Sequence, residues 1–376
     1  MTMTDNKDKK VLNVPALRFP EFSGEWKREI LNDVCAFHNG RAYKQNELLS
    51  DGKYRVLRVG NFFTNDSWYY SDLELDDEKV AVNGDLLYAW SASFGPRFWT
   101  GEKVIYHYHI WKIDSFQQVS KEFLFYFLER DTEKIKNEVQ GGTMVHITKG
   151  DMEKREILYP SILEQSKIAR LLSLLDERIA TQNKIIEKLE TLIRGIRHKV
   201  FNQLRKDVGF NSTIGNILSF EQPQRYIVSS SEYSNDDSFT PVLTANKAFI
   251  LGYTTEIGGI YDKGDCIIID DFTLDCKYVS FPFKIKSSAI KILTANNKFI
   301  LRYTYEYLKS LELSTEEHKR HYITEIQPYS CVLPDDKILK TIALMFKSIT
   351  DKLANEQSLA HMLNKQKQYL LSKMFI

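Results

Sequence analysis

Two long stretches of the chain carry aliphatic side chains at alternating steps of four and three residues. The first stretch runs from Ile168 to Val200, and the second runs from Ile342 to Met374. This is the heptad spacing of a helix that packs one stripe of side chains against a partner helix. A helix over residues 164–204 would be roughly 60 Å long at 1.5 Å per residue, which exceeds the width of a small domain. The pattern therefore predicts two long helices that pack against each other.

The positions of this stripe, called the seam below, are almost all apolar. In the first helix they are Ile168, Leu172, Leu175, Ile179, Gln182, Ile186, Leu189, Ile193, Ile196 and Val200. In the second helix they are Ile342, Phe346, Ile349, Leu353, Glu356, Ala360, Leu363, Lys367, Leu370 and Met374. Gln182 and Glu356 interrupt the two seams at the same place. A polar pair there can fix the register of the helices, or each side chain can simply be tolerated near the surface, and the sequence leaves both interpretations open.

The helices belong to an internal repeat. A shift of 174 positions aligns residues 159–182 with residues 333–356 without a gap and matches Pro160 to Pro334. Shorter similarities at other shifts extend the repeat upstream, pairing residues 31–37 with 214–220 and residues 83–89 with 263–269. The changing shifts indicate insertions and deletions in the parts that precede each helix. Each half is therefore predicted to be a variable domain of ~150 residues followed by a long helix of fixed length.

The parts that precede the helices alternate apolar and polar residues over short runs, as half-buried strands do. Strands are predicted within residues 53–62, 79–90 and 102–113 of the first half and within residues 239–251, 258–271, 277–285 and 288–295 of the second. One shorter helix is predicted in each half, over residues 120–139 and 297–313. The predicted fold class is α+β, with two domains that are each followed by a long helix. The two long helices are expected to pair as an antiparallel coiled coil with pseudo-twofold symmetry.

The predicted boundaries follow from this layout. They are a polar tail over residues 1–16, a first variable domain over 17–160, a first long helix over 161–206, a second variable domain over 207–334 and a second long helix over 335–376.

Composition narrows the class of protein without naming a function. The chain has 51 Lys and Arg against 50 Asp and Glu, so its net charge gives no argument for a nucleic-acid partner. Its four cysteines form no Cys-x-x-Cys pair, which favours reduced thiols in the cytoplasm over a structural zinc site. No run approaches the ~20 apolar residues of a membrane span, and the first ten residues lack the apolar stretch of a signal peptide.

Motifs for catalysis are weak. The sequence contains no phosphate-binding glycine loop, no His-Glu-x-x-His and no Gly-x-Ser-x-Gly. Asp265, Asp275 and Lys277 loosely resemble the carboxylate and lysine set of a nuclease, but an ordinary strand and turn explain the same residues. No catalytic residue and no metal site is predicted.

The motifs at the repeat resemble a known family. They are "LRFPEFSGEW" at residues 17–26, "GGTMVHIT" at residues 141–148 and the element Pro160, Glu164, Gln165 and Ile168 at the start of the first long helix. In this order they are similar to the specificity subunit of type I restriction-modification systems. The second copy departs from the pattern, because Ile338 and Leu339 stand where Glu and Gln would be.

The resemblance implies that each variable domain is a target-recognition domain for double-stranded DNA. It also implies that methyltransferase subunits, expected to be two, dock on the long helices and that restriction translocase subunits join the assembly. S-adenosylmethionine, ATP and magnesium are then expected in the partner subunits and no cofactor in this chain. Antiparallel helices would present two unlike domains to opposite strands, so the expected target is asymmetric and split.

DNA contacts are expected on polar loops that follow strands, since a rigid scaffold usually displays its binding groups there. In the first domain the candidates are Arg41, Tyr43, Lys44, Ser91, Ser93, Arg97, Thr143 and His146. In the second domain they are Gln222, Gln224, Arg225, Thr244, Asn246, Lys247, Thr273, Lys277, Lys319, Arg320 and His321. Trp90 and Trp99 are expected to pack in the core and not to stack on bases. His107 and His109 are expected to take part in cross-strand packing or to lie at the surface, and not to bind a metal. The competing functions are a coiled-coil scaffold that does not bind DNA and an autonomous nuclease.

Overall fold

A computed structural model of the chain describes residues 13–63, 65–91, 94–138, 147–246, 248–315 and 319–376. The chain divides into two compact units. The first unit contains residues 1–181 together with residues 360–376, and the second contains residues 182–359. Each unit therefore includes one variable domain, the beginning of one long helix and the end of the other. No helix in the described ranges is long and apolar enough to cross a membrane.

Among its described residues, the first unit has ten strands, and four helices precede its long-helix segments. The strands are β1 (Lys27–Ile30), β2 (Ala36–Asn39), β3 (Tyr54–Leu57), β4 (Tyr69–Ser71), β5 (Val80–Ala81), β6 (Leu86–Ala89), β7 (Gly95–Phe98), β8 (Val104–Tyr106), β9 (Ile110–Asp114) and β10 (Glu156–Tyr159). The helices are α1 (Leu31–Val34), α2 (Val59–Phe63), α3 (Lys121–Glu138) and α4 (Lys149–Glu153). The strands form sheets of order β2-β9-β6-β7 and β4-β3-β8-β5, and β1 pairs with β10.

The second unit repeats this plan with fewer strands. Its strands are β11 (Ser212–Thr213), β12 (Ser219–Glu221), β13 (Thr240–Leu243), β14 (Ile250–Thr254), β15 (Cys266–Asp270), β16 (Cys276–Val279), β17 (Lys284–Ile285), β18 (Ile290–Thr294) and β19 (Ser330–Cys331). The long helices are α5 (Ile162–Asp207) and α8 (Asp336–Met374), and the shorter ones in this unit are α6 (Ile214–Ile217) and α7 (Lys298–Ser310). Its sheets have the orders β12-β18-β15-β16 and β14-β13-β17, and β11 pairs with β19.

The repeat seen in the sequence is present in the local structure. The similar segments 31–37 and 214–220 both form a short helix followed by the edge strand of a four-stranded sheet, and the segments 83–89 and 263–269 both lead into its inner strand. Gly84 and Gly264 occupy equivalent turns before β6 and β15, with φ of +91° and +94°. Such left-handed values favour glycine because other residues would place Cβ too close to the backbone. The predicted α+β class is confirmed.

The central strand of each four-stranded sheet is buried on both faces. In β6, Leu86 and Tyr88 pack toward the helices, whereas Leu87 and Ala89 pack toward the second sheet. β15 of the second unit has the same arrangement. Each domain is thus built of a helical layer, a four-stranded sheet and a second sheet. A strand covered on both sides needs no polar face, which explains its continuous apolar sequence.

Several predicted strands differ from the observed ones. Residues 102–113 form two strands, β8 and β9, with a turn at residues 107–109 between them, and residues 58–62 turn into α2 instead of continuing β3. The turn carries polar and aromatic residues in the same alternation as the flanking strands. Periodicity alone therefore could not mark it.

The long helices begin and end close to the predicted positions, and every seam position is buried or half-buried. In the second unit Gln182 contacts Glu356, and further along α5 the ring of Phe201 stacks on the ring of Phe346 at 6.2 Å. The numbers rise along α5 as they fall along α8, so the helical segments of this unit run antiparallel, as predicted. The relation of the two units by a pseudo-twofold axis stays a prediction.

Gln182 and Glu356 form a direct polar contact within the seam. The Gln182 Nε2 donates to Glu356 Oε2 at 2.5 Å and to the Glu356 carbonyl oxygen at 3.1 Å. Gln182 is 6% exposed, so its amide has few other partners available. Glu356 is half-buried and also pairs with Lys352, so the contact lies within the seam, and its role in fixing the register stays a prediction.

Charged side chains also connect each domain to the long helices. In the first unit Lys367 of α8 pairs with Glu129 of α3 at 2.7 Å and with Asp176 of α5 at 2.6 Å. In the second unit Arg197 of α5 pairs with the fully buried Glu306 of α7 at 2.7 Å. Each domain is therefore fixed to the end of a long helix by a cation whose partners the heptad pattern could not indicate: Lys367 is a seam position, and Arg197 lies beside one.

The element at the start of α5 consists of buried, satisfied polar groups. Arg18 forms a two-point ion pair with the buried Glu164, at 2.8 and 2.7 Å. The Gln165 Oε1 accepts from the Ser120 backbone N–H at 2.8 Å, and its Nε2 donates to the carbonyl oxygens of Gln118 and Pro160. These contacts join the N-terminal segment, the start of α3 and the start of α5.

The last turns of α8 complete the core of the first unit. Phe375 packs against Trp26 and Phe123, with ring centroids at 6.4 and 5.1 Å. The Leu17 backbone N–H donates to the Lys373 carbonyl oxygen at 2.8 Å. Residues distant in sequence thus share one hydrophobic core.

Candidate nucleic-acid interface

A buried ion pair lies at the centre of the polar loops of the second unit. Lys291 of β18 and Asp271, which follows β15, are both about 1% exposed, and the Lys291 Nζ lies 3.2 Å from Asp271 Oδ2. The Lys291 Nζ also donates to the side-chain oxygen of Gln222 at 3.0 Å. A lysine is rarely buried unless it is paired, so this position depends on both partners.

Asp271 also holds the segment that contains Arg320 and His321. Its Oδ1 accepts from the Tyr322 backbone N–H at 2.8 Å, and its carbonyl oxygen accepts from the His321 backbone N–H at 2.9 Å. The Arg320 guanidinium lies 3.7 Å from Asp271 Oδ2 and over the ring of Phe272. The ion pair therefore connects the loop of Gln222 with the loop of Arg320.

A third loop and a fourth are joined beside this pair. The Thr273 hydroxyl donates to Asn246 Oδ1 at 3.2 Å, and Asp270 Oδ1 accepts from the backbone N–H groups of Phe272 and Thr273, each at 2.9 Å. Leu274 in the same turn has a φ of +61°, which costs of order 1 kcal/mol or more in a residue other than glycine. The Asp270 carboxylate therefore holds this turn in its left-handed conformation.

We call Gln222, Asn246, Thr273 and Arg320 the second reading surface. These four side chains come from four loops that sequence analysis predicted to contact DNA. All four of these residues are exposed. The ion pair of Lys291 with Asp271, which links Gln222 to Arg320, is buried. These loops lie close together because the neighbouring strands β12, β18 and β15 bring residues 222, 291 and 271 to the same end of the sheet.

The first domain gathers candidates around the turn between β8 and β9. Gly40 approaches this turn so closely that a Cβ there would lie 2.3 Å from the His107 carbonyl oxygen. Arg41 exchanges backbone hydrogen bonds with Tyr106 and Tyr108, and its guanidinium pairs with Glu47 at 2.8 Å. The ring of Tyr43 stacks on His107 at 6.4 Å. The loop of Arg41 is therefore docked on the turn.

Trp90 extends this group of aromatic rings. Its ring meets His109 at 4.9 Å and Tyr108 at 6.0 Å, and its Nε1 donates to the Tyr108 carbonyl oxygen. Burial and then the neighbouring positive charges of His109 and Arg58 lower the pKa of His107 to about 4. We call Arg41, Tyr43, Trp90, His107 and Tyr108 the first reading surface. Trp90 and His107 are half-buried and Tyr108 is exposed, so the core encloses Trp90 only in part, and His107 lies where the predicted cross-strand packing or surface position allows.

Two predicted contact residues are buried. Ser91 is 5% exposed and His321 is 1% exposed. The His321 ring lies between Thr315 Oγ1 at 3.1 Å and Glu325 Oε2 at 2.9 Å. Because these partners enclose it, the His321 side chain packs beneath the surface of the Arg320 loop and is not available for a contact with DNA.

The remaining candidates lie apart from the two reading surfaces or form their margins. Arg97 lies on β7 over the ring of Phe63, and Lys319 pairs with Glu325. Lys44, Gln224, Arg225, Thr244 and Lys277 lie on exposed or half-exposed loops and strand ends. Ser93, Thr143, His146 and Lys247 lie outside the described residues.

Sequence reasoning missed a set of cations stacked on aromatic rings in the first domain. Arg55 lies over Trp68 at 5.5 Å and Arg58 lies over Tyr69 at 4.2 Å, on the adjacent strands β3 and β4 and their flanks. The alternation in "YRVLR" placed both arginines on a strand but could not show which aromatic rings lie beside them. Stacked guanidinium groups of this kind suit phosphate contacts at the margin of a DNA interface.

The nuclease-like set does not converge. β15 and β16 pair antiparallel, with Cys266 opposite Val279 and Ile269 opposite Cys276. Asp265 and Asp275 therefore lie at opposite ends of this hairpin, separated by about 17 Å at 3.3 Å per residue. Two-metal hydrolysis needs carboxylates around one point. Within the ranges that the structure describes, no three His, Cys, Asp or Glu side chains come together as metal ligands.

Comparison with known proteins identifies the domain in the first half. Residues 23–191 match the family model for the type I restriction modification DNA specificity domain. A stretch of 173 residues is 40% identical to the type I restriction enzyme EcoR124I/EcoR124II specificity subunit of Escherichia coli, covering 42% of this chain and 41% of that protein. A stretch of 201 residues is 26% identical to the type I restriction enzyme MjaVIII specificity subunit of Methanocaldococcus jannaschii, covering 52% of this chain and 46% of that one. The matches thus span less than half the length of these relatives.

The fold of the whole chain has a solved counterpart. The crystal structure of a type I restriction-modification system S subunit from M. genitalium aligns with 96% of this chain and 99% of its own, with a TM-score of 0.65 and 17% sequence identity. At that identity the similarity concerns the fold. In sequence, residues 23–191 are similar to the type I restriction modification DNA specificity domain, and the resemblance to type I specificity subunits that the sequence motifs indicated is confirmed.

Proposed function

We propose that the chain is the sequence-specific DNA-binding subunit of a type I restriction-modification complex. In this proposal each domain reads one half of an asymmetric, split target through its reading surface. The observation that carries the proposal is the specificity-domain match over residues 23–191, because it includes both a variable domain and the first part of α5. The second unit supports it with a repeated plan and its own set of exposed polar loops.

The chain itself has a recognition role in this proposal and performs no catalysis. Methyltransferase subunits, expected to be two, dock on the long helices and methylate adenine using S-adenosylmethionine. Restriction translocase subunits supply cleavage with ATP and magnesium. The complex acts in the cytoplasm, where it meets both host and incoming DNA.

The side chains of the reading surfaces suit base and phosphate contacts. Gln222, Asn246 and Thr273 carry hydrogen-bonding groups of the kind that read base edges, and Arg320 can bind either a base or a phosphate. In the first domain, Trp90 and Tyr108 offer aromatic faces beside the cation of Arg41. The interface is built without a large net charge, so affinity must come from this local placement.

Mapping adenine methylation in cells tests the proposal. Cells with the intact gene should methylate one split, asymmetric motif, and cells from which the gene is deleted should lose that motif alone. Restoring the gene should restore it. If the deletion removes no methylation motif, the proposed function is wrong.

Binding measurements separate the competing functions. A DNA-recognition subunit should bind its motif with an affinity that falls as salt is added, because phosphate contacts release counterions. A scaffold should bind its protein partners but show no such DNA binding. A nuclease should cut DNA with metal alone and lose that activity on Asp275→Ala.

A further inference from the structure

A hydrogen bond to its oxygen atom fixes the side-chain amide of Gln222. The Lys291 Nζ donates to Gln222 Oε1 at 3.0 Å, and Lys291 is itself held by Asp271 at 3.2 Å. Gln222 is exposed, and within the described part of the chain its Nε2 makes no hydrogen bond. The carboxamide oxygen is therefore turned toward the buried ammonium group, with one of its two lone pairs occupied, and the two donor hydrogens are available outside.

We propose that Lys291 is a positioning residue for DNA recognition: it orients Gln222 so that this side chain reads a hydrogen-bond acceptor on a base edge of the second half-site. The inference rests on the proposed function and assigns a role to a residue that does not touch DNA. Lys291 is 1% exposed and cannot reach the duplex itself.

The chemistry of the base edges makes the role specific. Glutamine reads adenine by donating to N7 while its oxygen accepts from the N6 amino group. An oxygen already bound by Lys291 is poorly placed for that second bond. Guanine, with two acceptors at O6 and N7 in the major groove, suits an amide that presents only donors. We infer that Gln222 discriminates in favour of an acceptor-rich edge and against bidentate adenine recognition.

Asp271 connects the orientation of Gln222 with the position of the Arg320 loop. The same carboxylate that holds Lys291 accepts from the Tyr322 backbone N–H and lies near Arg320. The orientation of Gln222 and the placement of the Arg320 loop are thus set by one buried pair. The second reading surface is expected to change as a unit when the pair is altered.

Selection from a pool of DNA duplexes with a randomised second half-site tests the inference. The full chain is produced with its methyltransferase subunits, and bound sequences are counted for wild type, Lys291→Met and the matched control Arg197→Met. Both variants remove the cation of a buried ion pair in the second unit, but Arg197 pairs with Glu306 on α7 and touches no loop of the reading surface. The double variant Lys291→Met/Asp271→Asn removes both charges and avoids leaving a bare buried carboxylate.

The expected result is a loss of base preference at one position of the second half-site, by about 5- to 150-fold, in Lys291→Met and in the double variant. Adenine should become acceptable there, because the Gln222 oxygen is released. Arg197→Met should keep the wild-type preference at every position. Thermal stability, measured in parallel, should fall in Lys291→Met and in Arg197→Met alike.

Two outcomes would overturn the inference while leaving the proposed function intact. In one, wild type and both Lys291 variants select the same motif. In the other, Arg197→Met relaxes the same position as Lys291→Met, which would show a general effect of destabilising the unit. If wild type selects no sequence at all, the proposed function fails and the inference fails with it.

Discussion

Single side chains at the start of α5 show how far a motif can be interpreted without coordinates. The sequence singled out Glu164 and Gln165, and both are fully buried polar groups with complete sets of partners. Their partners could not be identified, because Arg18 and Ser120 lie far away in sequence. The role of Lys291 was not indicated by the sequence either. It lies in a predicted strand, but only the structure shows that Gln222 and Asp271 hold its buried ammonium group.

Gln165→Leu should destabilise the first unit by about 3 kcal/mol. The change leaves the Ser120 N–H and the carbonyl oxygens of Gln118 and Pro160 buried without partners, at roughly 1–3 kcal/mol for each group that finds no water. Chemical denaturation of the full chain measures the effect. Ser166→Ala on the exposed face of the same turn is the control and should change stability by less than about 0.5 kcal/mol. A loss below about 1 kcal/mol for Gln165→Leu would contradict this account of the motif.

At the scale of elements, the seam was predictable and the strand boundaries were not. Heptad spacing is a local property of a helix, so each seam position could be assigned from the sequence alone. The burial of β6 on both faces and the turn at residues 107–109 depend on what a second sheet covers, and local alternation carries no such information. The polar contact of Gln182 with Glu356 adds a feature that periodicity could mark only as an interruption.

Replacing both members of that contact by leucine should stabilise the helix pair and weaken its register. Gln182→Leu/Glu356→Leu completes an apolar seam, so the midpoint of denaturation should rise, and light scattering should detect more than one oligomeric species because sliding is no longer penalised. Single-chain material with an unchanged midpoint would contradict the register role. The seam variant Ile186→Leu, which keeps the polar pair, is the control and should remain one species.

The difference in stability between this double variant and wild type should depend on pH, because only wild type carries the Glu356 carboxylate. Hydrogen bonds from Lys352 and then Gln182 hold the pKa of Glu356 below its usual range. A carboxylate with a lowered pKa contributes stability above its unfolded pKa and loses that contribution as the pH falls through the folded value. The advantage of the double variant over wild type should therefore grow as the pH is lowered below about 4.5.

At the scale of the whole molecule, the proposed split target makes helix length a determinant of specificity. Removing residues 183–189 from α5 and 349–355 from α8 deletes one heptad from each helix and keeps the seam in phase. Seven residues of helix correspond to about 10 Å, or roughly three base pairs of duplex. Methylation mapping should then show unchanged half-sites separated by a shorter spacer, or no methylation if the partners cannot adjust.

Deleting the segment from one helix only is the control and should abolish the pairing of α5 with α8. An unchanged spacer would show that the helices do not set the distance.

The order in which a ribosome makes the chain conflicts with the order in which the first unit can be completed. Residues 360–376 carry Phe375 into the core beside Trp26 and supply the Lys373 carbonyl oxygen that accepts from the Leu17 backbone N–H, yet they emerge only after residues 182–359 have been made. At about 5–20 residues per second, that interval lasts from roughly ten seconds to half a minute. The half synthesised first must therefore wait, with an apolar surface uncovered, for the half synthesised last. A premature stop late in the gene would harm the domain encoded at its beginning.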